Sequence, residues 1–324
     1  MKAALCKSLD GPEGLRVEEI ADPIAGPGEV VVRVNAAALN FFDTLITRGK
    51  YQTKPELPFS PSGEIAGIIE SVGFDAGGLK PGTRVAAYVG YGGAREKIAV
   101  RADAAIPIPA NVSDQVAAGI SVTYGTAIHG LNDRGRLKRG ETVAVLGASG
   151  GAGLAAVEIA KLMGARVIAV ASTPEKLAVC RAHGADELVD YTREDLKDAL
   201  RRLSDGKGVD VVYDCVGGPH AEAAVRALAW QGRFLVIGFA SGEIPKLALN
   251  LLLVKGAEAV GVFWGESVKR DSAGHRRNMI QVLDWIGEGK LNPVVHATFP
   301  LAAAGEALRV LDRREAIGKV VLTI

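Results

Sequence analysis

Cysteine is scarce: Cys6, Cys180 and Cys215 are the only three in 324 residues, odd in number and far apart. That usage excludes a disulfide framework and a cysteine-based zinc cluster, and it predicts reduced thiols in a cytoplasmic protein. A surplus of one charge is missing too. With 38 Lys and Arg against 37 Asp and Glu the net charge is +1, so no overall field draws the chain to nucleic acid or to an anionic membrane. Long apolar runs are also lacking. The stretch Ala248 to Val254 is followed by Lys255 and Glu258, well short of the roughly 20 residues a spanning helix needs. At the start, Met1 to Cys6 runs into Lys7 and Asp10, which predicts no signal peptide. The five histidines, at 129, 183, 220, 275 and 296, have no metal-ligand spacing.

What is present is the composition of a globular enzyme, 48% hydrophobic and 23% charged. The length favours two domains over one core. Roughly the first 120 residues read as an irregular β domain. Val30 to Val34, Glu64 to Val72 and Arg84 to Val89 are β-branched runs, punctuated by Gly26-Pro27-Gly28 and Pro81-Gly82. From Glu141 the pattern becomes strand-helix alternation. Strands are predicted at Thr142 to Leu146, Arg166 to Ala171, Asp186 to Tyr191, Asp210 to Cys215 and Arg233 to Ile237. Helices are predicted at Ala152 to Met163 and Pro174 to His183. Such alternation implies a parallel sheet covered on both faces. Beyond Lys255 the pattern predicts a strand at Ala259 to Phe263, a helix from about Asp271 to Gly287 and a last strand at Lys319 to Ile324.

Between the first of these strands and its helix lies Gly147-Ala148-Ser149-Gly150-Gly151-Ala152-Gly153. Glycines there permit a tight turn and a close backbone approach to a pyrophosphate, while the helix start offers free N–H groups and the positive end of its dipole. Ser149, Gly150, Gly151 and Ala152 are therefore candidate phosphate-binding residues. The end of the second strand bears on the cofactor. A carboxylate is usual there when the ribose hydroxyls are free. This chain instead has Ala171-Ser172-Thr173, with Lys176 one helical turn on, and a hydroxyl and an ammonium suit a 2′-phosphate. The expected cofactor is NADPH, although Glu175 is placed where it can also be read as a displaced ribose acid.

Several further pieces carry a resemblance. They are Asn40-Phe41-Phe42-Asp43, Pro61-Ser62-Gly63-Glu64, Ala66-Gly67, Val72-Gly73, Gly92-Gly93-Ala94 and Thr126-Ala127. The Gly147 to Gly153 cradle, Asp210 to Gly218 and the closing Gly318-Lys319-Val320-Val321 complete the set. In this order and spacing the chain resembles the zinc-free quinone oxidoreductase (zeta-crystallin-like) branch of the medium-chain dehydrogenase/reductase superfamily. The resemblance implies an α/β fold, a Rossmann doubly wound parallel sheet inserted in a β-rich GroES-like catalytic domain. The catalytic domain would comprise residues 1–121 and 265–324, and the NADPH-binding domain residues 122–264. It also implies a homodimer that pairs strands such as Ala259 to Phe263 edge to edge. In the metal-dependent alcohol dehydrogenases of the superfamily a Cys stands where this chain has Asn40, and Gly-His-Glu replaces Ser62-Gly63-Glu64; no metal is therefore expected. Asn40, Asp43 and Tyr51 are placed near nicotinamide and substrate. Thr126 is placed at the carboxamide, and Ser172, Lys176 and Tyr191 around the 2′-phosphate. Gly238, Phe239, Phe263, Trp264 and Lys319 fall at the nicotinamide end. Where many quinone reductases carry a tyrosine, this chain has Leu45.

The chemistry so implied is reduction of a quinone or related conjugated enone, with a small molecule as the only partner besides a second copy. Negative charge delivered into an extended π system collects on a weakly basic oxygen, so a hydrogen-bond donor or water replaces the Lewis acid that alcohol oxidation needs. Tyr51 fits either the donor's role or that of a packed loop aromatic. Two other readings share the fold: an enoyl-thioester or alkenal/one reductase, and a non-catalytic dinucleotide-binding protein of the crystallin kind.

Overall fold

In the computed structural model, which describes residues 1–324, the strands in chain order begin with β1 (Lys2–Cys6), β2 (Leu15–Glu19), β3 (Glu29–Leu39), β4 (Glu64–Val72) and β5 (Arg84–Tyr88). They continue with β6 (Lys97–Arg101), β7 (Ile106–Pro107), β8 (Thr142–Leu146), β9 (Arg166–Ala171) and β10 (Glu187–Asp190). The last five are β11 (Val209–Asp214), β12 (Leu228–Val236), β13 (Glu258–Gly261), β14 (Val295–Pro300) and β15 (Lys319–Thr323). The chain divides into two units, Met1–Val122 with Gly265–Ile324, and Thr123–Trp264.

In the first unit, seven strands form a sheet of order β14-β15-β3-β4-β5-β7, with β6 also on β3. β3, eleven residues long, serves two partners along one edge, and its ladder with β4 slips between Val31 and Val32 and again between Val34 and Ala36. Irregularities of this kind bend a strand. Its first half pairs β6 through Glu29 to Arg33, and its second half pairs β15 through Ala36 to Leu39. Val30, Val32, Ile65, Val85, Val320 and Leu322 fill the core between.

In the second unit all pairings are parallel, and the order is β10-β9-β8-β11-β12-β13. This is the doubly wound dinucleotide order, whose switch point lies between β8 and β11 at their carboxyl ends. Val143 to Leu146 and Val167 to Val170 are buried throughout, which is why they read as continuous apolar runs rather than as alternation.

The chain departs from the expected elements at β12, after β13, and at β14 with the helix Ala304–Asp312, neither of which was expected. β12 begins at Leu228, five residues before Arg233, because Leu228 pairs with Val209 ahead of a slip in the β11–β12 ladder. β13 ends at Gly261, so Phe263 and Trp264 lie outside the strand, and Trp264 instead opens a helix, Trp264–Arg270, that periodicity did not reveal. The long helix follows as Ser272–Gly287, capped by Asp271 Oδ1 on the Gly274 N–H at 2.8 Å.

Candidate functional site

The phosphate cradle is built by backbone. Gly147, at φ +70°, turns the chain out of β8, while the N–H groups of Gly147 and Ala148 both donate to the Val170 carbonyl, each at 3.1 Å. The helix Gly151–Leu162 starts at once, with Gly150 as its cap, no side-chain cap bond and no acidic residue in the first turn. Its leading N–H groups and the positive end of its dipole are thus presented to an anion. A Cβ on Gly153 would stand 2.1 Å from the Gly147 carbonyl oxygen, so only glycine lets helix and strand approach this closely. A Cβ on Gly150 would meet nothing nearer than 3.5 Å. Space is left beside the turn.

At the end of the second strand, Thr173 caps the helix Pro174–Ala182 by accepting from the Lys176 N–H at 3.3 Å. Ser172 precedes it. Asp190 pairs with Ala171 in the β9–β10 ladder, so Tyr191, the next residue, stands beside Ser172 at the sheet's carboxyl edge. The Tyr191 ring packs 4.5 Å from that of His220. Glu175 is held below the usual carboxylate range by its own backbone N–H and then by the Thr173 hydroxyl. Those bonds employ it in the helix's first turn, which accounts for an acid here without a ribose.

Thr126 is buried on the helix Ser121–Ile128. Tyr124, on that helix, donates to Glu158 Oε2 at 2.5 Å, and His183 Nδ1 lies 2.7 Å from Glu158 Oε1. One buried carboxylate thus ties Thr126's helix to the helix that starts at the cradle. Gly238 and Phe239 follow β12, with the Gly238 N–H on the Asp214 carbonyl at 3.2 Å. The paired aromatics separate. Trp264 is buried so close to Gly125 that a Cβ there would be 2.8 Å from the indole nitrogen, whereas Phe263 is 58% exposed. They do not form one aromatic wall within this unit.

In the first unit, strands far apart in sequence converge on a buried ion pair. Lys319 Nζ lies 2.7 Å from Glu64 Oε1, with the two side chains 7% and 0% exposed. It also donates to Asn40 Oδ1 at 2.6 Å and to the Leu39 carbonyl at 3.1 Å. Asn40 Nδ2 donates to Glu64 Oε1 at 2.9 Å, and Glu64 Oε2 accepts the Val122 N–H at 2.8 Å. Every charge is partnered, as burial demands. Asn40 also starts the helix Phe41–Ile46, where Asp43 closes a reciprocal cap: Asp43 Oδ2 accepts the Asn40 N–H at 2.8 Å. Its other oxygen accepts the Ser62 N–H at 2.9 Å. Burial pushes the Asp43 carboxyl up to about 7, against the opposing pull of those two amides and Lys319. With both oxygens on backbone and no exposure, Asp43 positions the Asn40 turn and the Ser62 loop.

Gly63 marks the other position of interest. A Cβ there would meet the Phe42 ring at 2.8 Å and the Gly90 carbonyl at 2.9 Å. Phe42 in turn stacks on Tyr51, ring centroids 5.5 Å apart. Burial, and then the charge of Asp43, raises the Tyr51 hydroxyl above its ordinary value, so it holds its proton at neutral pH. Sequence reasoning quoted Glu64 only as part of a motif and missed its charge partner. The signal was available: an acid and a base, each set in an otherwise apolar strand, are expensive unless they meet.

Residues 26–110 match the family model of the alcohol dehydrogenase GroES-like domain, and residues 151–287 that of zinc-binding dehydrogenase. The chain is 39% identical over 325 residues to the quinone oxidoreductase-like protein 2 homolog of Nematostella vectensis, covering 99% of this chain and 88% of the relative. It is 33% identical over 330 residues to 15% of a phenolphthiocerol/phthiocerol polyketide synthase subunit of Mycobacterium tuberculosis, a match that covers 100% of this chain. Among solved structures, the Thermus thermophilus quinone oxidoreductase, known also in complex with NADPH, superposes with a TM-score of 0.87 at 37% identity, each chain covered in full.

Proposed function

The chain belongs to the quinone oxidoreductase branch of the medium-chain dehydrogenase/reductase superfamily, and we propose that it uses NADPH, without zinc, to reduce quinones or related conjugated enones. The observation that carries the zinc-free reading is the Lys319 ammonium, fixed between Asn40 and Glu64. Asn40 offers an amide in place of a thiolate, and Phe42 with the Gly90 carbonyl fills the space a side chain at position 63 would need. A divalent cation would have to sit against a fixed positive charge with too few anionic ligands. The residues do not suit that metal.

They do suit NADPH. Uncapped amides at Gly151 and Ala152, beside Ser149 and Gly150, would receive the pyrophosphate. Ser172, Lys176 and Tyr191 would surround the 2′-phosphate. We assign Thr126, Gly238 and Phe239 to the nicotinamide end, and Phe263, which is exposed, with them; Trp264 would shape that end through Gly125. Lys319 would act there through Asn40. NADPH supplies the hydride; this chain's own residues hold the flat substrate, exclude water from it and stabilise the charge that gathers on its oxygen. Asn40, oriented by Lys319 and Asp43, and Tyr51, supported by Phe42, form the substrate wall of the catalytic domain, Met1–Val122 with Gly265–Ile324. Charge spread over a conjugated ring requires only a neutral donor there.

We also infer a cytoplasmic homodimer. No helix is long and apolar enough to cross a membrane. β13, at the edge of its sheet, leaves Glu258, Ala259 and Gly261 exposed, and an unpaired edge of this kind is a template for pairing; light scattering would read twice the 33.8 kDa chain mass. A second reading, reduction of enoyl thioesters, delivers hydride to the same kind of conjugated carbonyl and draws on the 33% identity to the polyketide synthase. One experiment separates these. NADPH oxidation is followed with a quinone panel, enones, enoyl thioesters and simple alcohols, with metal analysis and chelation in parallel. Quinone or enone turnover that survives chelation is expected. Stoichiometric zinc whose removal abolishes turnover, or a simple alcohol as best substrate, would overturn the proposal.

A further inference from the structure

The residues assigned to the two ends and the middle of NADPH stand on three separate helices, and all of them fall within Thr123–Trp264. Thr126 is on Ser121–Ile128, the uncapped amides open Gly151–Leu162, and Lys176 is on Pro174–Ala182. A cofactor that touches all three takes a reactive pose only if the helices keep a fixed placement, since a displacement of about 1 Å can cost a hundredfold in rate.

The three helices meet at Glu158, which is buried on the cradle helix at 7% exposure. Its Oε2 accepts the Tyr124 hydroxyl at 2.5 Å. Its Oε1 lies 2.7 Å from Nδ1 of His183, the residue that ends Pro174–Ala182. Hydrogen bonds to a buried charge are strong and directional, unlike the apolar packing around them. Tyr124 and Thr126, two residues apart, point to different sides of their helix. Between them, Gly125 abuts the Trp264 indole so closely that a Cβ there would be 2.8 Å from its nitrogen. Held at two adjacent residues, the helix has a fixed rotation about its own axis, and Thr126 a fixed direction. The helix Pro174–Ala182 buries only Leu177 and Cys180. His183 anchors its far end, and that anchor sets where the first turn and Lys176 stand.

We propose that Glu158 is a positioning residue of the cofactor site: through Tyr124 it holds the helix of Thr126, and through His183 the helix of Lys176. One carboxylate thereby sets the nicotinamide and 2′-phosphate ends against the pyrophosphate turn. The inference rests on the cofactor site assigned above. Burial, and then the charge and hydrogen bond of Glu158, hold the Tyr124 hydroxyl well above its ordinary value, so it remains a donor.

Each arm predicts a different loss. Tyr124→Phe loosens the Thr126 helix: kcat should fall about fivefold or more and the fluorescence of bound NADPH should shift, while NADPH affinity stays within about twofold. His183→Leu loosens the other helix: NADPH should bind about five- to tenfold more weakly, with NADH affinity and kcat within about twofold. Glu158→Met should show both losses. Glu158→Gln, which can accept from Tyr124 and donate to His183, should recover most of each. All are measured well below their unfolding midpoints. Variants that are less stable but keep wild-type cofactor affinity, preference and fluorescence would make Glu158 a packing residue and overturn the inference. It is overturned also if Tyr124→Phe and His183→Leu lose the same properties in the same proportion, or if Glu158→Gln is as impaired as Glu158→Met. Cofactor titration and fluorescence need no substrate, so they decide the matter even if no quinone or enone is turned over. A narrowed NADPH preference in His183→Leu, beside none in Lys176→Ala, would move the phosphate site and leave the Glu158 anchor in place.

Discussion

The cradle at Gly147–Gly153 and the cluster at Lys319 are both built to manage charge, by opposite means. The cradle uses backbone, within seven consecutive residues, and leaves the N–H groups of its helix start uncapped for an anion to come. The cluster uses side chains from positions 40, 64 and 319 and leaves nothing unpaired. An open site can tolerate alteration of a side chain near it at the expense of ligand affinity. A closed one loses stability when any member goes, because the remaining charge is buried alone.

The largest test of that difference is Lys319→Met. It strands the Glu64 carboxylate at 0% exposure, and breaking a buried pair in this way costs about 3–5 kcal/mol, to be read from denaturant midpoints. Lys319→Met with Glu64→Gln should recover much of the loss. If the single variant is as stable as wild type, the cluster is not closed. Lys176→Ala probes the open site. Charge-assisted bonds contribute about 1.5–3 kcal/mol, so NADPH should bind roughly ten to a hundred times more weakly while NADH binding is nearly unchanged. Equal losses for the two cofactors in a direct titration would make Lys176 a structural charge.

Gly153→Ala acts on both properties of the cradle. Its new Cβ would press on the Gly147 carbonyl from 2.1 Å, and overpacking of this order costs about 1–3 kcal/mol. Thermal unfolding should show that loss, and cofactor titration a weaker cradle. The smallest effect is expected from Glu175→Gln. An exposed carboxylate occupied with its own helix start should leave the thermal unfolding midpoint near that of wild type and the NADPH-to-NADH preference where it was. A marked gain in NADPH affinity would instead restore Glu175 as a ribose acid.

The two regions were unequally legible. The cradle could be read because strand, glycine turn and helix are contiguous, and each follows from local rules of periodicity and turn geometry. The parallel sheet followed from the same alternation; its doubly wound arrangement came with the family resemblance. Local rules failed where a distant contact decides the backbone. The early start of β12 depends on Val209, and the helix at Trp264 begins where an indole packs against Gly125. The same limit applied to side chains. The Asp43 cap on Asn40 is local, but the amide of Ser62, brought in by the sheet, takes its second oxygen.

By itself the sequence determined the doubly wound α/β class, the place of the phosphate turn, and the absence of Cys at 40 and His at 63, since these depend on residue type and on spacing along the chain. Only the tertiary structure decided which charges meet. Lys319 and Glu64 are 255 positions apart, and no periodicity records that their strands flank β3 and bring opposite charges together. Pairing across a sheet is set by register, and register by the packing of the whole core.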